Sequence, residues 1–112
     1  MYKRANFGRC CDFKDYEVLT NVGSFESGKS PYGVYDMAGN VAEWTADWYD
    51  VDYYGKSLES NPKGPSIGQD RVVRGGSWVN KPGLVRSANR VGDTPEDRDF
   101  YIGFRCAQDV PK

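Results

Sequence analysis

The most regular alternation of apolar and polar residues lies between Val41 and Trp48. Every second residue, starting at Ala42, is alanine or tryptophan, and the three positions between them are polar. Side chains alternate between the two faces of a strand, so the pattern predicts a half-buried strand. Its predicted inward residues are Ala42, Trp44, Ala46 and Trp48.

Two later segments are also typical of strands. The segment 71–78 contains two consecutive valines and then Gly75 and Gly76. A glycine pair in a strand indicates a bulge or a close approach of neighbouring backbone. The segment 101–106 alternates again and predicts a third strand. Its predicted inward residues are Ile102, Phe104 and Cys106.

The remaining segments are rich in turn and loop signals. Glycine and proline punctuate residues 50–70, which predicts a long loop. Residues 84–91 have room for one or two helical turns, and residues 93–97 have the composition of a turn. Together these elements predict an α+β fold of short antiparallel strands joined by long, ordered loops, with little helix.

Length and charge narrow the possible functions. With 112 residues, the chain can bury one hydrophobic core, so we expect a single domain over 1–112. It carries 15 basic and 16 acidic residues and no long apolar run, so we expect neither nucleic-acid binding nor membrane insertion. The N-terminus also lacks the apolar stretch of a secretory signal, so the sequence leaves localisation open. It does not indicate the oligomeric state either.

The absence of histidine excludes several common kinds of site. No Ser-His-Asp or Cys-His pair and no imidazole metal site can be built from this chain. The three cysteines, Cys10, Cys11 and Cys106, have no zinc-binding spacing. Two alternatives are open for them: a bridge from Cys106 to Cys10 or Cys11, or three unpaired thiols.

Four blocks, in order along the chain, resemble the formylglycine-generating-enzyme (sulfatase-modifying factor) family. They are SPYGVYDMAGNVAEW (30–44), RGGSW (74–78), RSANR (86–90) and GFRC (103–106). The resemblance runs from about Ala5 to Ala107 and corresponds to the C-terminal half of a full family domain. It implies a C-type-lectin-like fold with bound calcium.

The first block contains a candidate calcium site. Asp36 and Glu43 bracket a glycine-containing turn, so their carboxylates can converge with exposed main-chain carbonyls in an all-oxygen shell. By resemblance, the structural calcium ion has the side chains of Asp36 and Glu43 and the carbonyls of Gly39 and Val41 as ligands. The competing interpretation is that Asp36 caps a turn and Glu43 faces solvent.

The resemblance implies a second calcium site near the N-terminus. Its ligands are Asn6, the carbonyl of Phe7 and a later aspartate, for which Asp12 and Asp15 are the candidates. The competing interpretation is an ordinary polar loop.

Oxidase chemistry of the family depends on two cysteines that follow the Gly-Gly-Ser-aromatic block and hold copper as thiolates. Here the corresponding segment, 79–85, reads VNKPGLV and contains no cysteine. Asn80 stands where the first cysteine is expected, and Cys106 matches a structural cysteine of the family. We therefore expect the chain not to be an enzyme of this type.

The segments between the family blocks are similar to the variable region of diversity-generating-retroelement proteins, which share the fold and the Gly-Phe-Arg block. This similarity implies a non-catalytic domain that displays a variable surface to a protein or cell-surface ligand, with Phe100 and Tyr101 as aromatic anchors. The residues expected to contact the ligand are Val79, Asn80, Leu84, Val85, Asp93, Asp99, Phe100 and Tyr101, with Trp78 at the edge of the surface.

Two other functions are compatible with the sequence: a degenerate or partial formylglycine-generating oxidase, and a structural accessory domain. For Arg86, Arg90 and Arg105 we expect partly buried guanidinium groups that pair with acidic side chains and loop carbonyls, because loops must satisfy their backbone acceptors.

Overall fold

The fold is a four-stranded sheet with long loops on both faces. A computed structural model describes residues 4–10 and 18–111 of the chain. The strands are β1 (Ala42–Trp48), β2 (Arg71–Arg74), β3 (Arg90–Asp93) and β4 (Ile102–Gly103). Helical segments are short: α1 (Tyr53–Lys56) and the 3₁₀ turns Glu26–Gly28 and Pro82–Leu84. The predicted α+β architecture with little helix is confirmed.

The strand order is β3-β2-β1-β4. β2 pairs antiparallel with β1, as predicted, and also with β3, which the sequence did not predict as a strand. β4, however, pairs parallel with β1, so the expectation of antiparallel strands throughout is wrong for this pair. Two parallel neighbouring strands require a crossover connection. The chain between β1 and β4, which includes β2 and β3, provides this connection.

A register shift interrupts the predicted alternation of β1. Trp44 pairs with Val73 and Trp48 pairs with Arg71, which shifts the register between the two tryptophans. As a result Ala46 is exposed, and both tryptophans of the strand are only half-buried. The prediction of an unbroken inward face from Ala42 to Trp48 is therefore wrong beyond Trp44.

β2 ends at Arg74, four residues earlier than predicted. Gly75 and Gly76 have φ angles of 85° and 64°, which take the chain out of the sheet. A Cβ on Gly76 would lie 2.8 Å from the carbonyl oxygen of Leu84, so the expected close backbone approach is confirmed. The residues after the glycines turn inward, and Trp78 is only 1% exposed.

The C-terminal strand is also shorter than predicted. Only Ile102 and Gly103 pair with β1; Phe104 is 76% exposed and Cys106 is exposed, so neither belongs to an inward face. Conversely, β3 includes the last two residues of the segment predicted to form helical turns and the first residue of the predicted turn, and it pairs with β2 along its whole length. In both places the available partner strand determines the secondary structure.

The core lies on both faces of the sheet. Val72 and Val73 are consecutive residues of β2 and point to opposite faces, yet both are buried. Three polar residues, Asn6, Asn40 and Ser77, are buried as well. The buried apolar residues in the described part of the chain are Val18, Ala42, Val72, Val73 and Trp78.

Cys10 and Cys106 both lie at the surface, and Cys106 is a free thiol, so the alternative of a bridge from Cys106 is not realised. Cys11 itself lies outside the described residues. Within residues 4–10 and 18–111, no helix is both long and apolar enough to cross a bilayer.

Candidate functional site

The turn that precedes β1 is built from residues with left-handed backbone conformations. Asp36, Gly39 and Asn40 all have positive φ angles, of 53°, 77° and 64°. A Cβ on Gly39 would collide with the carbonyl oxygen of Asn6, so only glycine fits this position without movement of the backbone. The turn is held against the N-terminal segment by a hydrogen bond from the Asn40 amide to the same Asn6 carbonyl, at 2.8 Å.

All four predicted calcium ligands border one cavity of about 310 Å³. Its lining includes Asp36, Gly39, Val41 and Glu43. Asp36 Oδ2 accepts a hydrogen bond from the Gly23 amide at 2.8 Å, and its Oδ1 accepts none from the described residues. The structure therefore brings together the residues that the sequence selected. We call this the turn cavity.

Arg105 closes one side of the turn cavity. Its Nε and Nη2 donate to the two carboxylate oxygens of Glu43, each at 2.6 Å, in a bidentate pair. Nη1 and Nη2 also donate to the carbonyls of Tyr35 and Asp36, at 2.8 and 3.0 Å. The hydrogen bond to Glu43 raises the pKa of Arg105 above its usual value. The expected pairing of this arginine with a carboxylate and loop carbonyls is confirmed, whereas the expected partial burial is wrong, because Arg105 is exposed.

The residues of the turn cavity fit a calcium ion by their chemistry. Every candidate donor is an oxygen, which is the ligand type that calcium prefers. Arg105 compensates the charge of Glu43, whereas Asp36 forms no ion pair in the described structure. A cation in the cavity would have the carboxylate of Asp36 and main-chain carbonyls available to it, beside the positive charge of Arg105, which also acts on Asp36.

The second predicted calcium site is only partly within the described residues. Asn6 is 5% exposed, and its Nδ2 donates to the Val18 carbonyl at 2.7 Å and to Asn40 Oδ1 at 3.2 Å. Phe7 lies at the surface. Both candidate aspartates, Asp12 and Asp15, lie outside the described residues, so this site stays a prediction.

A second cavity, of about 160 Å³, opens on the face of the sheet that carries Val73. It brings together residues from all four strands and from the loops that follow β2 and β3, and we call it the sheet-face cavity. Its floor includes Ala42, Val73, Gly76 and Ile102. Its walls are Asn80, Leu84, Asn89, Val91, Asp93 and Tyr101.

Four of the residues predicted to contact a ligand line the sheet-face cavity: Asn80, Leu84, Asp93 and Tyr101. Leu84 is 44% exposed and the other three are half-buried. Asn80 Oδ1 accepts hydrogen bonds from the Ser77 amide and hydroxyl at 2.8 and 3.1 Å, so this side chain also closes the turn after β2. Residues 80 to 101 are thus brought together although they are far apart in sequence.

The other predicted contact residues surround the cavity. Phe100 is 57% exposed and lies edge-on to Tyr101, with ring centroids 5.5 Å apart. Val79, Val85 and Asp99 are half-buried. A Cβ on Gly76 would lie 2.8 Å from a methyl group of Val85, which places that valine against the turn after β2.

Trp78 is not at the edge of the surface as predicted. It is 1% exposed, and its ring stacks beneath that of Phe100, with a centroid distance of 6.0 Å and an interplanar angle of 28°. The reason is the glycine pair, which turns the chain inward immediately before this residue. Trp78 therefore supports the aromatic part of the surface from below.

The electrostatic environment of the sheet-face cavity is acidic. Burial raises the pKa of Asp93, and a hydrogen bond with Asp97 and the charge of Asp70 raise it further. A hydrogen bond with Asp99 raises the pKa of Tyr101, and burial and the nearby carboxylates add to this effect. Negative charge thus accumulates at one side of the cavity.

Sequence reasoning did not include Val91 and Asn89 among the contact residues. Both line the sheet-face cavity, because β3 places Val91 and Asp93 on the same face, two residues apart. Val91 and Asp93 belong to the four-residue strand Arg90–Asp93, whereas the sequence pattern predicts helical turns up to Val91 and a turn from Asp93. Asn89 Nδ2 donates to the Leu84 carbonyl at 3.0 Å and so positions the cavity wall.

The frame arginines differ in their surroundings. Arg90 is half-buried, donates to the Asp50 carbonyl at 2.8 Å and lies over the ring of Tyr54 at 4.2 Å, as expected for an arginine that satisfies loop carbonyls. Arg86 donates to the Gly83 carbonyl at 2.8 Å but is exposed. The prediction that Arg86 is partly buried is therefore wrong, because its loop lies on the surface.

Comparisons with known proteins identify a family and several similar proteins. The family described as "Sulfatase-modifying factor enzyme 1-like domain" matches residues 2–110. The chain is 45% identical over 83 residues to the protein named serine/threonine-protein kinase pkn1 of Chlamydia pneumoniae, which covers 72% of this chain and 13% of that protein. It is also 45% identical over 83 residues to the formylglycine-generating enzyme of Mus musculus, covering 70% of this chain and 22% of the enzyme.

A solved structure, Treponema denticola variable protein 1, superimposes with a TM-score of 0.71 at 35% identity. The superposition covers 90% of this chain and 34% of the other. The chain therefore spans only about a third, or less, of the length of each of these proteins.

Proposed function

Because the chain belongs to the sulfatase-modifying factor enzyme 1-like family, we propose that it is a non-catalytic ligand-binding domain that displays a variable surface on a C-type-lectin-like scaffold. Within the family, its structural similarity to a protein named variable protein supports this role. The surface is centred on the sheet-face cavity, and its ligand is a protein or a cell-surface component.

One observation carries the proposal: the fold assembles residues that the sequence marks as lying between the family blocks into a single concave surface. Asn80, Leu84, Asp93 and Tyr101 come from three separate loops or strand ends and line the same cavity. The rigid sheet beneath them is buried on both faces. Leu84, Asp93 and Tyr101 can therefore vary without loss of the frame that holds them, whereas Asn80 also closes the turn after β2.

The size of the cavity favours a macromolecular ligand. Pockets that enclose a drug-sized ligand have volumes of roughly 300–1,000 Å³, whereas the sheet-face cavity has about 160 Å³. This space accommodates one side chain rather than a whole small molecule. The exposed ring of Phe100 beside the cavity adds an aromatic contact of the kind that is enriched at protein interfaces.

The segment that follows β2 supports the non-catalytic part of the proposal. Residues 79–85 contain no cysteine, so the chain cannot supply the thiolate pair at the position where the family's oxidases carry it. Copper-dependent oxidation of a substrate thiol by the purified chain would contradict this assignment and would favour the degenerate oxidase instead.

The retroelement assignment can be tested in the genome that encodes the chain. We expect a second, near-identical copy of the DNA for residues 71–107, near a reverse-transcriptase gene. Differences between the copies should fall at adenines and concentrate in the codons for residues such as Leu84, Asp93 and Tyr101. The codons for Trp78 and Gly103, which belong to the frame, should be unchanged. A genome without such a copy would contradict diversification of this surface.

For the turn cavity, we propose a structural calcium ion held by Asp36 and Glu43 and by the carbonyls of Gly39 and Val41. The all-oxygen donor set supports it, as does the carboxylate of Asp36, which forms no salt bridge among the described residues. Calcium at 100 times its dissociation constant would stabilise the fold by about 2.7 kcal/mol. Excess chelator should therefore lower the melting temperature of the wild-type chain and have a smaller effect on Asp36→Asn. An identical melting curve in chelator, with no calcium by elemental analysis, would remove the ion.

A further inference from the structure

The sheet-face cavity combines an apolar wall with a carboxylate, and this combination indicates the chemistry of its occupant. Leu84, Val91 and Tyr101 supply apolar surface around the opening, and Asp93 lines the same space. Such a lining can surround the aliphatic stem of a long side chain while a charged group receives its end.

The carboxylates around the cavity lack a cationic partner among the described residues. Asp70, Asp93, Asp97 and Asp99 interact with one another or with Tyr101. None of the four forms a salt bridge within the part of the chain that the structure describes. Asp70, Asp93 and Asp99 are half-buried and Asp97 is exposed, and keeping these like charges near one another without a cation is unfavourable for the isolated domain. A cationic ligand would relieve this repulsion.

The arginine that could neutralise Asp93 is engaged elsewhere. Arg71 is the direct cross-strand partner of Asp93 in the β2–β3 ladder, so the two side chains leave the sheet on the same face. However, the guanidinium of Arg71 lies 3.4 Å from the centre of the Trp48 ring and donates to the Ala46 carbonyl. Arg71 therefore does not neutralise Asp93, whose hydrogen bonds are to neutral or acidic groups: Oδ1 accepts from the Thr94 amide at 3.0 Å, and the side chain hydrogen-bonds with Asp97.

We propose that the sheet-face cavity receives a lysine or arginine side chain of a protein partner, with its aliphatic stem against Leu84, Val91 and Tyr101 and its cationic end at Asp93. This inference rests on the proposed function, because it names the ligand group that the binding surface selects. The volume of the cavity suits a single side chain of this kind.

The experiment uses a phage library of random 12-residue peptides, selected on the immobilised chain. We expect the selected peptides to share a lysine or arginine. Affinities of synthetic peptides for the wild-type chain and for Asp93→Asn are then measured by calorimetry. Asp93→Asn keeps the shape of the side chain and should weaken binding at least tenfold, whereas Asp109→Asn, at an exposed position away from the cavity, should leave the affinity unchanged.

A third variant, Leu84→Glu, separates this inference from the proposed function. It blocks the apolar wall at an exposed position and should abolish binding of any ligand that uses the cavity. Suppose that the selected peptides lack a basic residue, bind Asp93→Asn normally and do not bind Leu84→Glu. This result would overturn the proposal of a cationic ligand group and leave the proposed binding surface in place. Peptides insensitive to both variants, or no selected peptides at all, would overturn both proposals. Circular dichroism of each variant checks that it is folded.

Discussion

The buried ring of Trp78 makes the sharpest prediction about stability. At 1% exposure it is the largest side chain that is fully buried in the described structure. A buried tryptophan removes about 150–250 Å² of surface from water. At about 25 cal/mol per Å², this corresponds to roughly 4–6 kcal/mol. Trp78→Ala should therefore lower the free energy of unfolding by about 3–5 kcal/mol, the usual range for such truncations.

This loss is large relative to the total stability of a small domain, which is about 5–15 kcal/mol. The test is urea unfolding followed by the fluorescence of the remaining tryptophans, with Trp44→Ala as the matched comparison. Trp44 is only half-buried, so its truncation should cost clearly less. Trp78→Phe, which keeps an aromatic ring under Phe100, should recover a substantial part of the loss. If Trp78→Ala costs no more than Trp44→Ala, the assignment of Trp78 to the core is refuted.

Three further predictions concern the turn and the sheet-face cavity. Arg105→Lys should lower the free energy of unfolding by about 1–3 kcal/mol, because lysine cannot reproduce the bidentate pair with Glu43; an unchanged urea midpoint would contradict this role. Gly39→Ala should destabilise the fold by more than Gly33→Ala. Both glycines have positive φ angles, but an added methyl group would collide with a backbone carbonyl only at Gly39. Equal losses in melting temperature would refute the close approach at Gly39. The pKa of Asp93 is raised in the folded state, so ionisation of this group above its unfolded pKa of 3.8 lowers the stability of the fold. Asp93→Asn should therefore increase the free energy of unfolding at neutral pH and leave it unchanged below pH 3.8. Unfolding measured at both pH values tests this difference.

Much of the candidate site was predictable because its signals are local. The turn around Gly39 depends on neighbouring residues with positive φ angles, and the carboxylates of Asp36 and Glu43 flank it within eight positions. The glycine pair after Arg74 likewise indicates a backbone approach without any knowledge of what approaches. These features are present in the structure because they depend on the backbone conformations of residues close together in the sequence.

Pairings between distant residues could not be predicted in the same way. Arg105 was expected to find a carboxylate, but its partner Glu43 is 62 positions away in sequence. The sheet-face cavity depends in part on β3, whose four residues carry too little pattern to distinguish a strand from the end of a helical segment. Such a short segment becomes a strand because β2 offers it a full ladder of hydrogen bonds.

The sequence by itself determined which segments form the frame, where the glycine turns occur and which side chains lie between the family blocks. Only the tertiary structure decided which side chains are buried: Trp78 is buried, whereas Phe104 and Cys106 are exposed. The physical reason is that alternation specifies the direction of a side chain, whereas burial depends on what the rest of the chain packs against that side.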